Sequence, residues 1–109
     1  MPGAKTNVFP LFLDADTVVV DEANTAFVPT SSFISIDSSS EAVDLALSSE
    51  GVDVGTYVYF EMTENSNASD LTFTDADDSA VSLTFDAVGD KAEVMLFDGG
   101  WRLIVNGIT

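Results

Sequence analysis

Apolar and polar positions alternate most regularly over Ser79–Gly107, SAVSLTFDAVGDKAEVMLFDGGWRLIVNG. Three short runs, Val81–Phe85, Ala92–Phe97 and Trp101–Val105, are separated by turns containing Gly89 and Gly99-Gly100. Successive side chains of a strand leave opposite faces, so a period of two is what a half-buried strand requires. That period puts Val81, Leu83 and Phe85 on one face, and sets Ala92, Val94 and Leu96 against Glu93, Met95 and Phe97. It likewise sets Trp101, Leu103 and Val105 against Arg102, Ile104 and Asn106. Both faces of the middle run are substantially apolar, which suggests a central strand or one covered on both sides.

The same period recurs upstream. Thr56–Thr63 is the richest strand former, with Val58, Phe60 and Met62 assigned to the core and Tyr57, Tyr59 and Glu61 to the other face. Asp70–Thr74 points Leu71 and Phe73 inward. Ser31–Asp37 alternates too, but which of Phe33 and Ile34 is buried stays open. Thr17–Val20 and Thr25–Val28 are brief, the latter stopped by Pro29. Ser38–Glu50 satisfies two templates: a serine-capped helix, with Glu41 three residues after Ser38, or a strand burying Val43, Leu45 and Leu47. Val8–Leu13, VFPLFL, is strongly apolar, and Pro10 keeps it off a central strand. It is either an edge segment of the core or an arm for a neighbouring subunit or partner.

Eight or nine short strands at this spacing predict an all-β fold: a compact antiparallel β-sandwich or barrel-like domain, jelly-roll connections being compatible with it. Residues 1–13 read as an extended N-terminal arm and residues 14–109 as a single β domain. The spacing of the glycine turns makes no solenoid repeat.

Charge changes the picture more than size does. Three basic residues face nineteen acidic ones, for a formal net charge of −16. Such a chain repels phosphate backbones, which argues against direct nucleic-acid binding. Yet 46% of residues are hydrophobic, too many for a disordered acidic tail. No apolar run is long enough for a membrane helix, and Met1–Pro10 lacks the apolar core of a signal peptide.

Candidate chemistry is sparse. The chain has no histidine and no cysteine, so a serine nucleophile lacks its usual base and thiolate chemistry has no residue. With nineteen carboxylates, a glycosidase-like pair carries no information. The expectation is a protein that is not an enzyme and has no cofactor. Asp75, Asp77 and Asp78 on one turn are weak candidates for a divalent cation, though they do not match a calcium loop. Trp101 reads as an anchor in the core or an interface. Tyr57 and Tyr59 either cover a second sheet or contact a partner.

The C-terminal third, DLTFT followed by AVSLTFDAVGDKAEVMLFDGGWRLIVNG, resembles the small β-modules of tailed-bacteriophage virion proteins, with Gly89, Asp90, Gly99, Gly100 and Trp101 at the similar positions. The short chain with an apolar N-terminal segment is most similar to the capsid decoration, or cement, proteins of that group. The resemblance implies a virion protein on the outer capsid surface that bridges subunits of the major capsid protein, usually as a homo-oligomer, with a trimer favoured. It implies partner contacts through Val8, Phe9, Pro10, Leu11, Phe12 and Leu13 together with Tyr57 and Tyr59. A tail-fibre or receptor-binding tip, or a non-viral carbohydrate-binding or adhesion module, are the alternatives.

Overall fold

In the computed structural model, which describes residues 11–108, the alternating runs become ten strands with no helix among them. They are β1 (Leu11–Phe12), β2 (Val18–Val20), β3 (Asn24–Phe27), β4 (Phe33–Ser38), β5 (Leu45–Leu47), β6 (Thr56–Asn65), β7 (Ser69–Thr74), β8 (Ala80–Phe85), β9 (Lys91–Phe97) and β10 (Gly100–Gly107). One sheet runs β10-β9-β6-β4-β2, with β1 also pairing β6, and the other runs β3-β5-β7-β8. The expected sandwich is present, but its sheets are mixed rather than antiparallel.

The mixture has a simple origin. From β2 to β7 the chain crosses to the opposite sheet after every strand, so β2, β4 and β6 lie parallel in one sheet and β3, β5 and β7 lie parallel in the other. The result is a short coil of three windings, which β8, β9 and β10 close with antiparallel pairings. The windings differ in length, Val18 pairing with Ile34 and Ile34 with Phe60, which is why no repeat appears in the sequence.

Registry turns the alternation into cross-strand rows. Val18, Ile34, Phe60 and Ala92 share one inner row, and Val20, Ile36 and Met62 another. Leu45, Leu71 and Leu83 form the facing row of the second sheet. These rows merge into a single core with Phe85, Val94 and Trp101. The Ser31–Asp37 ambiguity resolves with Ile34 and Ile36 buried, and Ser38–Glu50 contributes β5 with Val43, Leu45 and Leu47 buried. Strand chemistry prevails over the serine cap because both neighbours of β5 are already strands.

One alternation breaks. Between Glu93 and Val94 the β9–β10 register shifts: Glu93 pairs with Val105 and Val94 with Leu103, leaving Ile104 as the extra residue of a bulge. Strict alternation puts Val105 on the face of Trp101 and Leu103, and the bulge removes it from that face. It stands opposite Glu93 on the outer face.

Candidate functional site

The two outer faces of the sandwich differ in chemistry. Across the second sheet, Ala46, Thr72 and Ser82 form a row of small side chains, and Thr84 donates to Asp70 at 2.7 Å. Across the first sheet the rows are Phe12, Tyr57, Met95 and Arg102, then Phe33, Tyr59, Glu93 and Val105, then Val19, Ser35, Glu61 and Lys91. Large aromatic and aliphatic side chains thus occupy a solvent-side face of a strongly acidic protein.

Backbone pairing places the first of them. Leu11 N–H donates to the Gly55 carbonyl at 2.8 Å, and Leu11 and Phe12 run parallel to Thr56 and Tyr57. Ser31 and Ser32, both fully buried, secure the segment that follows. The Ser32 hydroxyl accepts from Leu13 N–H and donates to the Tyr57 carbonyl, each at 2.7 Å, while the Ser31 hydroxyl reaches the Asp14 carbonyl at 2.9 Å. Buried backbone groups need such partners, and here two serines fix where the segment lies. Of the predicted partner-contact residues, Phe12 is thereby brought against Tyr57, whereas Leu11 pairs with Thr56 and Leu13 packs against the core; Val8, Phe9 and Pro10 lie outside the described residues.

The aromatic rings form a chain of contacts. Phe12 lies 5.0 Å from Tyr57 and 6.1 Å from Phe33, and Phe33 lies 6.3 Å from Tyr59, all tilted. Such spacings are favourable for ring pairs. Phe12 remains 49% exposed, and Phe97, Ile104 and Val105 are also exposed on or beside this sheet. Tyr57 and Tyr59 do not cover a second sheet. The core packs against Val58, Phe60 and Met62 on the opposite side of the strand.

Each tyrosine is tethered to a carboxylate. Tyr57 donates its hydroxyl to Glu93 Oε1 at 2.8 Å, and Tyr59 donates to Glu61 Oε1 at 2.6 Å. Both phenols are held above their ordinary pKa: Tyr57 mainly by burial and then by Glu93, and Tyr59, pushed up to about 12, mainly by its hydrogen bond to Glu61. The rings are therefore neutral donors with fixed orientation, and the carboxylates stand beside them.

The candidate cation ligands are arranged differently. Asp75 Oδ1 accepts from Asp77 N–H and Ser79 N–H, and both Asp77 oxygens receive Arg102 nitrogens at 3.1 Å. Asp78 sits at φ 64° in the same turn. Asp75 and Asp78 line a cleft of about 420 Å³ with Trp101, whereas Asp77 turns to Arg102. Among the described residues, no group of three Asp or Glu side chains is set to hold a metal ion. Trp101 is buried, with no hydrogen-bond partner for Nε1 among the described residues.

Sequence reasoning found Tyr57 and Tyr59 but missed Phe33, whose side remained open, and Val105, whose face depends on a bulge. The Tyr-x-Tyr-x-Glu spacing of residues 57–61, one face of a single strand, was the available signal for the Tyr59–Glu61 pair. No known protein family, characterised protein or solved structure matches the chain.

Proposed function

We propose that the chain is a structural virion protein of a tailed bacteriophage, which binds the outer surface of the capsid and stabilises it by bridging subunits of the major capsid protein. The observation that carries the binding role is the contiguous aromatic cluster Phe12, Tyr57, Phe33 and Tyr59 on one sheet face, of which Phe12 is half exposed and the other three are partly buried. Aromatic side chains are the common anchors of protein interfaces. Mounted on paired strands with tethered hydroxyls, they lose little freedom on binding. The virion setting rests on the resemblance of the C-terminal third.

The mechanism is stoichiometric rather than catalytic. A protein that binds only the assembled shell shifts assembly by mass action, in proportion to its saturation. Association of copies into a trimer completes the proposal, and β8 is the edge suited to it. Its six residues carry no charge, proline or bulge, and edges left so regular are open to pairing with another strand.

Co-sedimentation with capsids stripped of accessory proteins tests this reading, with saturation at a fixed number of copies per capsid as the expected result. Absence of capsid binding by folded protein overturns it. A receptor-binding tip is the second reading, favoured by the Ser35 and Thr63 hydroxyls beside Tyr59, which suit a stacked sugar. Glycan binding without capsid binding selects it.

A further inference from the structure

Resting on the partner-binding reading of this face, we infer that the cavity beside Tyr59 and Glu61 receives the guanidinium of an arginine on the protein partner. The cavity measures about 190 Å³ and is lined by Phe33, Tyr59 and Glu61 with the hydroxyl residues Thr17, Ser35 and Thr63. Pockets that enclose a drug-sized ligand run to about 300–1,000 Å³. This one suits the head of a side chain.

Its chemistry selects a planar cation. Phe33 and Tyr59 supply two rings, and a guanidinium is attracted to aromatic faces. Glu61 gives one carboxylate oxygen to the Tyr59 hydroxyl, which orients the group and leaves its other oxygen for a partner. Lys91 stands opposite Glu61 in the β6–β9 register, and among the described residues the two form no direct ion pair. The Ser35 and Thr63 hydroxyls are hydrogen-bonded to each other in the cavity wall, each oxygen keeping a lone pair to accept with. A net charge of −16 attracts a cationic partner and repels an anionic one.

On its own surface the protein also pairs an arginine with a ring and a carboxylate. Arg102 lies 5.6 Å from the centroid of the Phe97 ring while Asp77 holds its two terminal nitrogens, both contacts at 3.1 Å. Ring and carboxylate together hold a guanidinium there. Lysine lacks the planar fork that such a site uses.

The test titrates N-acetyl-arginine amide into isotope-labelled protein and follows chemical shifts. Shifts should concentrate on Phe33, Tyr59 and Thr63. N-acetyl-lysine amide should bind at least about fivefold more weakly, and E61Q should weaken arginine binding about tenfold, the loss of one charge-assisted hydrogen bond at this exposure. T84A, on the outer face of the other sheet, should retain binding. Equal responses to both amides spread over the acidic surface overturn the inference, as does selective binding of methyl glucoside at the same residues. Capsid binding unchanged in E61Q overturns it while leaving the binding-face reading standing. Selective arginine binding by a protein that ignores capsids does the reverse: it supports the cavity and sinks the capsid reading.

Discussion

Phe12 packs against Tyr57 at a ring-centroid separation of 5.0 Å, so the N-terminal segment and the longest strand present one continuous surface. The contact is local in space and distant in sequence. It joins β1 to the tyrosine whose hydroxyl is tethered to Glu93.

Replacing Phe12 by alanine removes a half-exposed ring from that contact. The expected cost is about 1 kcal/mol, in the range of aromatic pairs at partly exposed positions. Urea unfolding measures it. A loss above about 3 kcal/mol would instead place Phe12 among fully buried core residues.

Ser32→Ala should be more damaging despite its smaller change in volume. It leaves Leu13 N–H and the Tyr57 carbonyl without their buried partner, each group costing about 1–3 kcal/mol when unsatisfied. Hydrogen exchange at Leu13 should accelerate along with the loss of stability. If Leu13 protection is unchanged, the serine is not what fixes the segment.

The two tyrosines are the only phenols in the chain, so phenolate absorbance reports them without interference. Tyr59 should ionise near pH 12 and Tyr57 at higher pH still, both above the ordinary value of 10. A raised folded pKa means that this contribution to stability is complete below pH 10. It is lost as pH rises from 10 through the folded value, because the unfolded chain releases its protons first. E61Q should move the Tyr59 transition down toward 10 and leave Tyr57 nearly in place. Identical transitions in wild type and E61Q would refute the tether.

Two glycines with positive φ should respond unequally to alanine. At Gly51, φ is +74° and an added Cβ meets nothing within 4 Å, so the cost is the backbone term of about 1 kcal/mol. At Gly100, φ is +149° and the Cβ would stand 3.2 Å from backbone atoms of Thr74, Asp75 and Ala76. Backbone cannot yield as a flexible side chain does, and a cost of about 3 kcal/mol or more is expected. Thermal unfolding of both variants checks the order.

The inner rows were legible in the sequence because burial on one face imposes a period of two. Val58, Phe60 and Met62, and likewise Ala92, Val94 and Leu96, are buried as their alternation predicts. The parallel pairing of β2, β4 and β6 was not legible, since windings of unequal length leave no repeat. Val105 was misplaced because a bulge has no distinctive residue here: Ile104 is an ordinary strand former. Of the aromatic face, Tyr57 and Tyr59 were visible as a pair on one strand. Their contacts with Phe12 and Phe33 depend on which strands become neighbours, and local alternation carries no information about that.

The most direct test of the central claim compares capsid co-sedimentation of wild type, F33A/Y59A and S82R. The double variant removes two rings from the aromatic face, and S82R alters the opposite face of the sandwich. With all three proteins folded, wild type and S82R should saturate capsids equally. F33A/Y59A should bind at least about tenfold more weakly, as expected when interface anchors are removed. Wild-type affinity and stoichiometry in F33A/Y59A would contradict the account.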